Sequence, residues 1–578
     1  MKRLFPYTVF VLALSACQPA PTFPAGQSAT DSLGYQVFPL SNGGWGFDIR
    51  KGSSIFIHQP FIPARDGLQS FGSEAQARAL ATLIVIRIKT GGTGYILEQS
   101  DVAHILDSIS DAPRPDTALD ETSTSLSALG NPGQQLPWLP DRPLLARWLN
   151  RGTEAFGPRS SPKSFAIGDK VYIGLGEYAD HYYNDLWVYD TRRRYWTALA
   201  FLPTPDRRVG GVAFSIGGRG YYGLGIHAEA GAQRMKREFF AYNPLTNRWR
   251  RMVDFPGDGR LDAMAFTVGD KAYVGLGYAE RFTRDVYAYD GGKDHWDRVA
   301  DFPGGPTSSA AGFSDGYSGF VAGGDGPHGN QKTFFEYQPA TDTWVRRPDL
   351  PETPRYFMAG CFVDSGYCVA GAGASRDNPG SMRDFHLYDA RRKQWSGIDP
   401  YPTSLDGFTH ATAANVHGNV YVGGGYGGNY SNTWNEFEFY YPVNTEHGTY
   451  DEFTAYSVGT GHGWTMFEEC DDKDCYAGVA LKADAPIQHF RYTRRLKAGA
   501  YPRSFTLSGD VKGDVLVRFF FTREEVTGDL NQVAVLQKAG DSKKIIHPSW
   551  YQYGFQGQTL VAECVVAHLQ GDFSLTRF

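Results

Sequence analysis

At 578 residues the chain exceeds what one hydrophobic core supports, so it divides into two to four domains. Its 34 tyrosines, 38 phenylalanines, 12 tryptophans and 68 glycines, with no long charged run, describe a folded, turn-rich protein dominated by strand. A formal charge of −6 and a pI near 6.2 exclude the basic footprint of a nucleic-acid partner.

The first seventeen residues, MKRLFPYTVFVLALSAC, carry Lys2 and Arg3, an apolar run from Phe5 to Leu14, and small residues before Cys17. This is an export signal, too short to span a membrane. Leu14-Ser15-Ala16-Cys17 resembles the lipobox of bacterial lipoproteins. That resemblance implies acylation of Cys17 and a lipid anchor, with a secretory signal and an incidental cysteine as the alternative. Gln18 stands where an aspartate would imply inner-membrane retention, so the expected location is the outer membrane, on its periplasmic or cell-surface side.

Residues 24–110 read as a small α+β unit. Gly44–Ile49 and Ser54–Ile57 are strands about a Lys51-Gly52 turn, Ser73 caps a helix running to about Lys89, and a short helix covers Asp101–Ile109. Residues 111–142, rich in Pro, Ser, Thr and Asp, read as a linker.

From residue 143 the chain repeats. Tyr189/Trp196, Tyr242/Trp249, Tyr289/Trp296, Tyr337/Trp344 and Tyr388/Trp395 are each seven apart, and Pro203, Pro256, Pro303, Pro351 and Pro402 follow each tryptophan by seven. Small-residue triplets come next, at Gly223–Gly225, Gly275–Gly277, Ala322–Gly324, Ala370–Ala372 and Gly423–Gly425, with Gly174–Gly176 ahead of them all. The period is about 50 residues, in the kelch range. Each tyrosine and tryptophan suits a cross-strand pair, and the glycines let neighbouring sheets approach. The last copy, Glu436–Tyr441, has no closing tryptophan, whereas Trp148 lies 26 residues before the first triplet, in the common register. The sixth blade therefore takes its outermost strand from the amino-terminal side, near Leu145–Asn150. Over residues 143–443 the chain resembles a six-bladed kelch β-propeller. The segment FIPARDGLQSFGSEAQARALA resembles a lipoprotein domain of unknown function that precedes such propellers. Residues 444–578 return to strands, notably Tyr501–Leu507 and Asp514–Phe521, and are expected to form a β-sandwich-like domain.

Five cysteines remain in the mature chain. Cys361 and Cys368, and Cys470 and Cys475, are each expected to pair, leaving Cys564; none has zinc spacing. No metal or cofactor is expected.

Eleven residues past each tryptophan, at the entry to the innermost strand, stand Arg159, Arg207, Arg260, Thr307, Arg355 and Asp406. Four arginines at one level around a channel are candidates to hold a carboxylate or phosphate; the alternative is a brace between blades. Loops of the same face add Glu177, Tyr278 and Tyr426, suited to sugar faces and hydroxyls. The expected function is non-catalytic binding of a glycan or protein partner by a lipid-anchored envelope protein. The alternative rests on similarity to the sialic acid mutarotases, also six-bladed kelch proteins, and implies acid–base work for which Glu177, Asp406 and His410 are candidates. Galactose oxidase also carries kelch repeats, but its copper-ligand set is missing from this sequence.

Overall fold

In the computed structural model, residues 33–109 and 145–577 are described, less short interruptions such as 91–96, 204–206, 403–406, 443–451, 471–474 and 527–532. Cys17, the linker and Asp406 lie outside the described residues. Among the described residues no helix is long and apolar enough to cross a membrane.

Six antiparallel sheets repeat one plan. In the first, Lys163–Ile167, Lys170–Gly174, Leu186–Asp190 and Tyr195–Ala198 pair in that order, innermost to outermost. The outer hairpin is tight because Asp190 Oδ1 accepts the amides of Arg192 (3.1 Å) and Arg193 (2.8 Å), and Arg194 takes a left-handed φ of 61°. Asn247, Asp294, Asp342 and Lys393 take the same left-handed step in the next four blades. The turn sets the register, so the tyrosine and tryptophan of all five copies stand directly opposite one another. Their ring centroids lie 4.7–5.2 Å apart. Four of the indoles then reach back one blade: Trp249 donates to Ala200 O at 2.9 Å, Trp296 to Val253 O at 3.5 Å, Trp344 to Ala300 O at 3.0 Å and Trp395 to Pro348 O at 2.9 Å.

Closure uses Leu145–Thr153, which pairs antiparallel with Thr433–Pro442 and sets Trp148 opposite Phe437. Trp148 is 6% exposed and packs on Phe385, Tyr401 and Phe437 at 4.9–5.1 Å. The innermost strands neighbour one another in sequence order, and Thr412–Val416 of the last blade adjoins Lys163–Ile167 of the first. Ser164 Oγ and Thr412 Oγ1 meet across that seam at 2.7 Å.

Two circles of backbone hydrogen bonds fix the repeat frame. In one, Gly225, Gly277, Gly324, Gly373 and Gly425 donate to Arg260, Thr307, Arg355, Phe408 and Arg159 of the next blade, at 2.7–2.9 Å. The fifth triplet is therefore Gly371-Ala372-Gly373, one residue later than the sequence alignment placed it. A side chain at Gly425, φ +104°, would bring Cβ within 2.8 Å of Thr409 O, which explains the invariant third glycine of the triplet.

The flanking units continue the outer blades. Leu33–Pro39, Trp45–Lys51 and Ser54–Gln59 extend the first blade, Ile57 pairing parallel with Trp196. Helix α1 (Glu74–Thr90), with the Gln76 amide on Ser73 Oγ, packs on these strands and shares one core with the first blade. Helix α2 (Gln99–Ser108) follows. Beyond the last blade, two sheets form the sandwich, one continuous with that blade through Trp464–Cys470 and Ser549–Tyr553. Their facing residues, among them Val479, Leu481, Phe505, Val517, Phe519 and Phe573, make a separate core.

The expected Cys361–Cys368 disulfide is corrected. The hairpin pairs Cys361 with Val369 and Cys368 with Phe362, an offset of one that sends the two thiols to opposite faces of the sheet. Each is a free, buried thiol in a different core. The Cys470 and Cys475 backbones pair, but their side chains lie outside the described residues. Cys564 is buried and free in the sandwich core.

Candidate functional site

The arginine level is a set of braces, which corrects its assignment to ligand binding. Arg159 is wholly buried and donates to both oxygens of Asp185 at 2.7 and 2.9 Å and to Leu175 O at 2.9 Å. Arg260 holds Asp285 at 2.7 and 3.0 Å, and Arg355 holds Asp384 at 2.9 and 2.8 Å. Each ties the start of the innermost strand to its own triplet and to the start of the third strand, leaving no guanidinium face for a ligand. Arg355 and His386 together hold the Asp384 carboxyl well below its usual range, despite the opposing effect of burial. In the second blade the brace is Arg208, to Glu238 at 3.3 Å, whereas Arg207 is 35% exposed. Thr307 replaces the arginine in the fourth blade and accepts from Gln331 Nε2 at 3.0 Å. In the sixth blade Phe408 occupies this level, since Gly373 donates to its carbonyl as other third glycines donate to Arg260 and Arg355. Asp406, outside the described residues, is two positions too early.

Two residues past the braces, each chain segment turns through a left-handed φ: Ser161, Gly210, Asp262, Ser309, Phe357 and His410, at 52–70°. These six positions form the second circle. Ser161 N–H donates to His410 O at 2.9 Å, Asp262 to Gly210 O at 2.7 Å, Ser309 to Asp262 O at 2.8 Å, Phe357 to Ser309 O at 3.0 Å and His410 to Phe357 O at 3.3 Å. The circle surrounds the axis at the channel mouth. Its members are chemically unequal: two are ionisable, and Lys163 begins the innermost strand two residues after Ser161.

Lys163, Asp262 and His410 are half-buried, electrostatically coupled, and form no side-chain hydrogen bond or ion pair among the described residues. Asp262 leans over Gly210, where a Cβ would lie 3.0 Å from its Oδ1. It thus reaches from the third blade over the second, and its carboxyl interacts electrostatically with Lys163 on the first. His410 lies against the Phe357 ring, centroids 3.6 Å apart, and its Nδ1 has no partner. Enclosure by the blades pushes the Asp262 carboxyl up to about 6, with Lys163 pulling it down. Enclosure lowers the Lys163 ammonium against the pull of Asp262, and it holds the His410 imidazole down at about 3, with Lys163 adding to the effect. At neutral pH the mouth therefore presents a carboxyl near its titration point and a neutral imidazole beside the Lys163 amine, whose charged form burial disfavours and Asp262 favours.

The rim above is aromatic and polar. Glu177 bridges to Ser160 and Tyr426 to Thr409 at equivalent positions of neighbouring blades. Tyr178, Tyr430 and Tyr426 form a continuous group with centroids 4.5 and 5.1 Å apart, Tyr426 being 39% exposed. Tyr278 packs against Phe282. On the same hairpin as Tyr178, His181 Nε2 lies 3.0 Å from Glu98 at the start of α2, which accepts from Arg207 at 2.6 Å and brings the amino-terminal unit to the rim.

Sequence reasoning named His410, but it missed Lys163 and Asp262. Their signal was present: one ring position in six is aspartate, and one innermost strand opens on lysine.

The fold and this mouth define a kelch-type β-propeller with an ionisable cluster on its axis, carried between two accessory units. A domain of unknown function, DUF4907, matches residues 36–102. The N-acetylneuraminate epimerase of Haemophilus influenzae (strain PittEE) is 30% identical over 109 residues, 19% of this chain and 28% of that protein. N-acetylneuraminate epimerase 2 of Escherichia coli O6:H1 is 33% identical over 119 residues, 20% of this chain and 31% of that protein. The chain thus spans less than a third of the length of these curated relatives. The solved structure of YjhT aligns over 49% of this chain and 95% of its own, with 20% identity and a TM-score of 0.42.

Proposed function

We propose that the propeller binds a small sugar carrying a carboxylate at the channel mouth and interconverts its anomers. The observation that supports this reading is the unpaired Lys163 beside Asp262 on the propeller axis. An enclosed ammonium that forms no ion pair among the described residues favours an anionic ligand, because a buried charge is costly until an opposite charge joins it closely. A titratable carboxyl next to it supplies the acid–base capacity that anomer exchange needs. Relatives named N-acetylneuraminate epimerase point to the same substrate class.

Two-dimensional exchange NMR on N-acetylneuraminate tests this. Wild-type protein is expected to raise anomer exchange above the buffer rate, and exchange equal to buffer would overturn the reading. A non-catalytic glycan-binding role is favoured instead by the exposed Tyr178–Tyr430–Tyr426 group, and it predicts saturable binding without faster exchange. Anchoring through an acylated Cys17 at the outer membrane belongs to the same proposal; incorporation of labelled palmitate that Cys17→Ser abolishes would support it.

A further inference from the structure

We infer that Asp262 is the base and Lys163 the acid of the exchange, facing each other across the gap at Gly210. This assignment rests on the anomer-exchange reading.

Position carries the argument. Gly210 is the one member of the axial circle without a side chain, and Asp262 fills the space over it, its Oδ1 3.0 Å from where a Cβ would stand. Ser161 adjoins Gly210 in blade order, and Lys163 follows Ser161 by two residues on the same innermost strand. Base and acid therefore approach the Gly210 position from the third and first blades. His410, tied to Ser161 by its carbonyl at 2.9 Å, closes that place from the sixth blade, with Phe357 stacked behind it. Among the described residues, the charged or titratable groups coupled to Asp262 and Lys163 are these two and His410.

The step balances without a co-reactant. The Asp262 carboxylate takes the proton of the anomeric hydroxyl, and that O–H electron pair becomes the second bond of a carbonyl. The bond between the anomeric carbon and the ring oxygen breaks, its pair going to the ring oxygen, which takes a proton from the Lys163 ammonium. The open keto acid turns about the adjacent carbon–carbon bond, and the hydroxyl adds to the other carbonyl face. Lys163 recovers its proton from that hydroxyl, and Asp262 returns its own to the new anomeric oxygen. The substrate carboxylate stays beside Lys163 throughout. A carboxyl poised near neutrality suits this work, since it is ionised at working pH yet basic enough to accept a proton.

The test measures N-acetylneuraminate exchange by NMR and its Kd by calorimetry, on the full mature chain, for wild type and Asp262→Asn. The expected result is a fall of about 100-fold or more in catalysed exchange with Kd unchanged. Wild-type exchange in Asp262→Asn would overturn the assignment and leave the reading intact, whereas no exchange in wild type would overturn the reading itself. Should the variant not fold, the wild-type pH profile decides. Catalysed exchange should rise with pH through about 6, where Asp262 ionises. A flat profile between pH 5 and 7.5 would overturn the assignment.

Discussion

Arg159→Met isolates what the braces contribute. The guanidinium is wholly buried, lies 4.7 and 4.2 Å from the Phe156 and Tyr183 ring centroids, and donates twice to Asp185, whose side chain is 4% exposed. Removing it leaves a buried carboxylate with only the Leu175 amide at 3.1 Å and the Trp187 indole at 3.0 Å as donors. Breaking one side of such a pair costs about 3–5 kcal/mol. At roughly 2–3 °C per kcal/mol for a unit this large, Tm should fall by roughly 6–15 °C. Adding Asp185→Asn removes the stranded charge while keeping an acceptor for Trp187, so Arg159→Met/Asp185→Asn should recover most of the loss. Differential scanning calorimetry of the two variants measures both effects. An unchanged Tm in Arg159→Met, together with lost binding of a carboxylated sugar, would refute the brace and restore the arginine to a ligand site.

Trp148→Ala removes the indole that packs between Phe385, Tyr401 and Phe437, so it should cost about 3–5 kcal/mol, seen as earlier thermal unfolding. Asp262 has a folded pKa raised to about 6 above an ordinary value of 3.8, so ionisation favours the unfolded chain as pH rises from about 4 to 6. Asp262→Asn should accordingly match wild-type Tm below pH 4 and exceed it above pH 6. His410 has the opposite sense: with its imidazole held at about 3 against 6.5, it contributes stability that is lost as pH falls from 6.5 toward 3, a loss that His410→Gln should abolish in pH-dependent melting. Cys361 and Cys368 should both take up iodoacetamide after denaturation without reductant, as intact-mass spectrometry reads directly.

The blades were legible because cross-strand aromatic pairs leave a spacing that turn chemistry holds constant. Tyr189 and Trp196 face each other only if the four residues Thr191–Arg194 turn between the paired Asp190 and Tyr195, and each of the next four copies preserves that length. Trp148 was legible for the same reason, although it belongs to a blade completed hundreds of residues later. Other features fall where spacing is free to vary. Connections between tryptophan and innermost strand tolerate insertion, which moved the brace to Arg208 in the second blade and the equivalent level to Phe408 in the sixth. Ala370-Gly371-Ala372 imitates a triplet one residue out of frame, and only the left-handed φ of 57° at Ala372 and 97° at Gly373 reveals the true frame. The two cysteines bracket a turn at hairpin spacing, but strand alternation, set by a bulge near Phe362, decides which face each occupies. Lys163 and Asp262 lie 99 residues apart, on the first and third blades, and interact only because the innermost strands curve round one axis, so no local motif marks them.

The most direct test of the channel mouth as the site is calorimetric titration of N-acetylneuraminate into wild type and Lys163→Met, with Tm measured alongside. Lys163 makes no side-chain hydrogen bond or ion pair among the described residues and acts on Asp262 by through-space attraction, so the substitution should abolish the binding heat while leaving Tm close to that of wild type. Equal affinity in the two proteins would contradict the account.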